Sequence, residues 1–175
     1  RSYRKAEIFE ILQPSAERVS APCPHFGICG GCHLQHLNYT EQVRQKNSIL
    51  QDSLKPLISE KTELLPFVPS PEHWRYRNRI QIKVSESGEK GFYSKQTHQV
   101  VSISDCLIAR SELVRAFSEN PRQLTSPGEY EISTLLGGEV KITPRQEGNS
   151  FFSQVNESIN HLIEKTLLHW MGESH

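Results

Sequence analysis

The chain has no excess of charge of either sign. Twenty Lys and Arg stand against 20 Asp and Glu in 175 residues, and the formal net charge is zero. Overall charge therefore gives no argument for a nucleic-acid or membrane-surface partner. No apolar run approaches the roughly 20 residues that a spanning helix needs, so no membrane partner is expected. No segment reads as a secretory or targeting signal. Cysteine is sparse: four in the whole chain, too few for a disulfide-dense scaffold. Internal repeats and low-complexity tracts are lacking too. What remains is a chain long enough to bury a core, of one domain or one domain plus fragments. Its hydrophobic content of 35% is low but compatible with a globular protein. The cytoplasm is the expected compartment.

The few cysteines are not scattered. Cys23, Cys29 and Cys32 lie within ten residues, and Cys106 follows 74 residues later. Pro22, Pro24, Gly27, Gly30 and Gly31 crowd the cluster. Glycine tolerates positive φ and proline fixes φ, so such a segment can wrap tightly around a bound group. Three clustered thiolates and one remote thiolate suit a four-cysteine iron–sulfur cluster. Structural zinc is the first alternative, although four-cysteine zinc sites usually show two knuckles and only Cys29–Cys32 forms one here. Disulfides, in three pairings, are the second. Unligated buried cysteines are the plainest alternative, which explains neither the spacing nor the glycines. His25, His33 and His36 flank the cluster and are read as packing or hydrogen-bonding residues, since four thiolates complete a site.

Local patterns predict an α+β fold, a largely antiparallel sheet with flanking helices and an iron–sulfur loop. Residues 6–12 alternate enough for a strand. Residues 13–38 are a loop rich in Pro, Gly and His. Thr40 offers an N-cap to a helix whose face carries Val43, Leu50, Leu54 and Leu57, with Pro56 near its end. Pro66, Pro69 and Pro71 stiffen a connector. Residues 79–84 alternate strictly and form the clearest strand, with Ile80, Ile82 and Val84 toward the core. A turn around Gly88 leads into a return strand at Gly91. A third strand over 99–103 delivers Cys106, and Ser111 is placed to cap a short helix. Residues 129–135 and 139–143 form a hairpin across Gly137 and Gly138. Asn156 caps the most regular helix, where Ile159, Leu162, Ile163, Thr166, Leu167 and Trp170 recur at helical spacing. That stripe needs a partner: its own domain, a natural partner missing from the chain, or a second copy.

Charge is uneven along the chain. Residues 1–83 carry 12 Lys and Arg against 8 Asp and Glu, and residues 84–175 carry 8 against 12. Within the basic half, Arg75, Arg77 and Arg79 alternate with Trp74, Tyr76 and Asn78. On a strand the three arginines would share a face that Lys83 extends. Arginines so placed can fork to phosphates while aromatics stack on bases. A solvated face with internal ion pairs is the alternative.

Together the cysteine block running from Cys23 to His36, the Tyr76–Arg79 segment, Gly91–Tyr93, the remote Cys106 and the segment from Phe152 to Asn156 resemble the RNA (uracil-5-)-methyltransferases. The resemblance is to the iron–sulfur branch, which modifies ribosomal RNA or tRNA. It implies a [4Fe-4S] cluster on Cys23, Cys29, Cys32 and Cys106. The basic, aromatic-interleaved segment is the expected RNA-contact surface, with Arg75, Tyr76, Arg77, Asn78, Arg79 and Lys83. The resemblance also implies that Phe152 stacks on the target uracil and Gln154 hydrogen-bonds to it. On this resemblance residues 1–12 are the remnant of an N-terminal β-barrel, residues 13–148 a central cluster-bearing domain facing RNA, and residues 149–175 the start of a truncated methyltransferase domain.

In that family a cysteine thiolate adds to C6 of uracil, C5 takes the methyl group of S-adenosylmethionine, and a base removes the C5 proton. The sequence contains no Asp-x-x-Cys-Gly-x-Gly-type cofactor loop and no fifth cysteine. The expectation is a chain without catalytic residues, inactive alone, with S-adenosylmethionine bound only in a full-length form. A noncatalytic RNA-binding module stapled by an iron–sulfur cluster is the second reading, and a zinc-stapled interaction domain the third.

Overall fold

A computed structural model gives the fold and describes residue 6 and residues 8–119, 121–135, 138–145 and 153–172. Five strands form one antiparallel sheet: β1 (Arg79–Val84), β2 (Lys90–Tyr93), β3 (Val100–Ser102), β4 (Gly128–Thr134) and β5 (Val140–Pro144), in the order β3-β2-β1-β4-β5. Three α-helices accompany it: α1 (Tyr39–Leu54), α2 (Ser111–Glu119) and α3 (Glu157–Gly172). The expected α+β class and antiparallel sheet are therefore present. Among the described residues no helix is long and apolar enough to cross a membrane.

The strict alternation of β1 divides the sheet into two faces. Ile80, Ile82 and Val84 are buried, as their period requires. Their register sets Ile80 opposite Ile132 and Ile82 opposite Tyr130 on β4, so the apolar pairs stack across the strands. Leu113, Ala116 and Phe117 of α2 cover this face, with Ile103, Ala109 and Leu124 closing the core. The core thus lies directly beneath the segment that carries Cys106.

The other face of β1 is polar and paired. Lys83 lies 2.6 Å from Glu129 on β4, with its ammonium 4.9 Å from the centre of the Tyr93 ring. Arg79 reaches Glu131 at 3.8 Å, and Arg145 reaches Glu129 at 3.2 Å. Lys83 first, and then burial acting against it, set the acidity of Glu129, whose carboxyl is held below its ordinary range.

Several local expectations change. Residues 8–12 carry no regular structure, and Ile8, Phe9 and Leu12 are exposed. Their alternation meets no neighbouring strand among the described residues, and an unpaired strand has no ladder to hold it. Helix α1 is capped by Asn38 rather than Thr40: the Asn38 side chain accepts a hydrogen bond from the Glu41 N–H at 2.9 Å. On the expected apolar face Val43 and Leu54 are half-buried, whereas Leu50 and Leu57 are exposed. The buried residue of α1 is Glu41, which accepts from Arg44 and Gln45.

Those bonds have a pH consequence. Hydrogen bonds from Arg44, then Gln45, bring the Glu41 carboxyl down to about 2 from an ordinary 4.5. A depressed carboxylate contributes its stability above the unfolded value and loses it as pH falls through the folded one. Helix α1 should therefore weaken between about pH 4.5 and pH 2. Circular-dichroism melts of the parent and Glu41→Gln across that window check it. The parent should lose stability on acidification and the variant should follow a flatter course; parallel curves would contradict the assignment.

Candidate metal centre and adjoining groove

The cysteine segment is held by its backbone. Phe26 N–H donates to Cys23 O at 3.1 Å, and Cys29 N–H to His25 O at 2.9 Å, coiling the chain between the first two cysteines. Gly30 N–H then donates to Tyr93 O at 3.0 Å, and Lys95 N–H to Ile28 O at 2.8 Å, so the coil is pinned to the end of β2. A Cβ at Gly30 would stand 3.1 Å from Tyr93 O, a close approach that favours glycine there. Val19 N–H to His36 O and Asn38 N–H to Glu17 O close the base of the loop. Gln35, nearly buried, accepts the Cys23 N–H at 3.2 Å. His36 packs its ring near Phe26, with centroids 5.8 Å apart.

Cys106 arrives from the other side, four residues after β3. Asp105 accepts the Cys106 N–H at 2.7 Å. Arg75 grips Asp105 with two hydrogen bonds of 2.8 and 2.7 Å and also donates to Cys106 O at 3.0 Å. The Arg75 backbone has φ of 55°, a left-handed conformation that non-glycine residues seldom adopt. That conformation corrects the expected strip: β1 starts at Arg79, and residues 74–78 do not continue its alternation. Arg75 is drawn into the fork with Asp105, whereas Arg79 and Lys83 share the polar face with their carboxylates. Backbone bonds Arg75 N–H to Leu107 O, Arg77 N–H to Ile108 O and Arg110 N–H to Arg77 O tie this segment to the Cys106 turn.

The two halves meet. Cys23, Cys29, Cys32 and Cys106 all line one cavity of about 70 Å³, together with Gln35, Arg77 and Ile108. All four are free, half-buried thiols, so none of the disulfide pairings is formed. Burial pushes the pKa of the Cys106 thiol up, against N–H groups of Ala109 and Ile108 that favour its thiolate. Burial likewise raises that of Cys29, against the Gly31 N–H, which lies 3.5 Å from its sulfur. Among the described residues no three His, Cys, Asp or Glu side chains are gathered tightly enough to hold a metal ion. The cysteines face a common space rather than one another.

Behind that cavity runs a groove of about 770 Å³ between the cysteine loop, α1, residues 67–77 and the start of α3. Gly31, Cys32, Gln35, Arg77 and Ile108 line both spaces. Tyr39 and His73 stack in the groove wall with centroids 3.5 Å apart, and Lys46, Trp74 and Tyr76 also line it. Tyr76 and Arg77 are thus the members of the expected RNA strip that reach this groove.

The remaining site residues lie at its α3 end. Asn78 N–H donates to Val155 O at 2.9 Å, and its side-chain amide reaches Gln154 O at 3.5 Å. Gln154 is exposed. Phe152 lies outside the described residues. Asn156 caps α3 as expected, accepting from Ile159 N–H at 3.1 Å and donating to Ser70 at 2.9 Å. Glu157 pairs with Arg110. Beyond this anchored turn, Leu162, Ile163, Leu167 and Trp170 are exposed. The stripe is real, and docking on the chain's own sheet is not what covers it: no residue of α3 is buried.

Sequence reasoning did not single out Asp105, Gln35 or the Tyr39–His73 stack. Asp105 and Gln35 sit beside the cysteines, which was the available signal. The stack joins distant segments and has no local signature.

No family model matches the chain. An uncharacterized RNA methyltransferase of Bdellovibrio bacteriovorus is 35% identical over 182 residues, covering 99% of this chain and 46% of that protein. An uncharacterized RNA methyltransferase of Aquifex aeolicus is 39% identical over 116 residues, covering 65% of this chain and 27% of its own length. The chain therefore spans less than half the length of these relatives. Among solved structures, the tRNA (uracil-54, C5)-methyltransferase of Pyrococcus abyssi, in complex with S-adenosyl-L-homocysteine, superposes with a TM-score of 0.54 at 21% identity, covering 87% of this chain and 37% of that one. At that identity the likeness speaks to fold. The chain is a relative of RNA methyltransferases that corresponds to part of their length.

Proposed function

We propose that this chain is the cluster-bearing, RNA-facing portion of an S-adenosylmethionine-dependent RNA (uracil-5-)-methyltransferase. The observation that carries the reading is the cavity lined by Cys23, Cys29, Cys32 and Cys106, drawn from two segments far apart in sequence. The donor set fits a [4Fe-4S] cluster: four sulfurs, with backbone N–H groups favouring two of them as thiolates. Burial alone opposes ionising these thiols, and bound iron would supply the compensating charge. A bound cluster supplies metal–thiolate bonds that clasp the loop to the end of β3, together with a one-electron couple. Zinc remains the alternative occupant, because the same four thiolates can complete its tetrahedron.

On this reading RNA lies along the groove. Trp74, Tyr76 and the Tyr39–His73 pair offer stacking surfaces, and Lys46 and Arg77 offer charge. Arg75, Arg79 and Lys83 are paired with carboxylates and lie outside the lining of this groove. Gln154, with Phe152, is assigned to the target uracil. The central domain of residues 13–148 and the methyltransferase start of residues 149–175 keep their expected roles, with residues 1–12 read as the end of a β-barrel. No catalytic residue is assigned here. A thiolate that ligates iron is not available to attack C6, and these four are all the cysteines of the sequence.

Two outcomes follow. Structured RNA should bind the iron-loaded chain with an affinity that falls as salt rises, because phosphate contacts release counterions. With labelled S-adenosylmethionine and unmodified tRNA or ribosomal RNA, the chain alone should form no 5-methyluridine. No binding at low salt would remove the RNA assignment, and stoichiometric methylation by this chain would overturn the domain reading.

The exposed stripe of α3 belongs to the same proposal. Each large side chain gains about 1.5–3 kcal/mol on full burial, so the stripe favours a cover. In the isolated chain a second copy is the expected cover; in a longer protein, a methyltransferase domain. Sedimentation should show a dimer that Leu162→Glu with Leu167→Glu converts to monomer. A parent that stays monomeric at all accessible concentrations would refute self-pairing.

A further inference from the structure

Arg77 carries an unusual feature. Its Nε is buried and has no hydrogen-bond partner among the described residues. A buried donor on a charged group is costly to leave unpaired, more so than a neutral one. The rest of the residue is firmly placed. Its backbone bonds to Ile108 and Arg110 on both sides. The side chain lines the wall between the cysteine cavity and the groove. Two polar side chains of the cavity are already engaged: Gln35 by the Cys23 N–H, and Asp105 by Arg75 and the Cys106 N–H.

We infer that Arg77 is a positioning residue for the cluster, its Nε–H donating to a sulfur in the cysteine cavity. The inference rests on the iron–sulfur reading above. A [4Fe-4S] core with four thiolates is an anion, and a guanidinium beside it is complementary in charge and in hydrogen bonding. The backbone donors of Gly31 at Cys29, and of Ile108 and Ala109 at Cys106, already follow this pattern. Hydrogen bonds to cluster sulfurs stabilise the more negative, reduced state and so raise the potential. Arg77 would then also link the cluster to the groove, through one side chain that lines both.

The test uses the full chain, loaded with iron anaerobically, as parent, Arg77→Gln and Arg77→Lys. Glutamine removes the charge, and lysine keeps it without a donor at the Nε position. The readouts are iron content, circular dichroism and the midpoint potential of the cluster. Both variants should hold iron at a lower potential. For Arg77→Gln the reduced-to-oxidised ratio at fixed potential should fall about tenfold, equivalent to about 59 mV for one electron. Loss of iron with the sheet intact would also support the inference. Unchanged iron and unchanged potential would overturn it. Loss of the fold together with the iron would overturn it too, assigning Arg77 to the fold. A parent that takes up no iron would instead defeat the iron–sulfur reading itself, and the inference with it.

Discussion

Replacing Cys106 by serine is expected to strip the iron-loaded chain of its intact four-iron cluster and lower its melting temperature by on the order of 10 °C. The reason lies in the distance spanned. Cys106 stands 74 residues beyond Cys32, so a shared cluster closes a long loop. By the chain-entropy argument used for disulfides, closing a loop of that length is worth about 4 kcal/mol. In a protein of this size each kcal/mol moves the midpoint by about 2–4 °C. The metal-free chain should hardly notice the change, because Cys106 is a half-buried thiol whose main local anchors belong to Asp105 and Arg75. The check is a pair of melts, loaded and metal-free, with iron analysis of each variant. A serine variant that keeps four irons and the parent midpoint would show that Cys106 is not a ligand.

Gly91→Ala is expected to destabilise the chain by about 3 kcal/mol, a midpoint loss of roughly 6–12 °C, whether or not metal is bound. Gly91 pairs with Lys83 on one side and Ser102 on the other. A Cβ there would stand 1.8 Å from Val101 O, well inside contact distance of a backbone atom. The backbone cannot swing aside as a flexible side chain would, so β2 and β3 must part. Since β3 leads directly into Asp105 and Cys106, iron retention should fall along with stability. Thermal unfolding with iron analysis tests both halves. An alanine variant that melts with the parent would mean that β2 and β3 are not paired at this register.

These two residues mark what the sequence makes legible. The cysteine spacing led to the expectation of a shared site, and the four cysteines do line one cavity. The strict alternation of β1 and the wide stripe of α3 were equally plain, since both arise from local periodicity and the core and cap follow from it. The Asn38 cap was legible in principle: Glu41 stands three residues on, the capping-box spacing, but Thr40 competes by residue type. The placement of the basic strip on one strand failed for a different reason. Alternation correctly put Arg79 and Lys83 on one face, but the carboxylates that meet them come from β4, and no local pattern reveals a strand partner. Arg75 was less legible still. Its left-handed backbone accompanies the fork to Asp105, a partner 30 residues away that no local pattern reveals.

The central claim is that four thiolates from two segments hold one iron–sulfur cluster. Anaerobic preparation followed by iron, zinc and acid-labile sulfide analysis tests it most directly. The account predicts a brown chain with about four irons and four sulfides, and little zinc. About one zinc per chain, with no sulfide and no visible absorption after the same preparation, would contradict it.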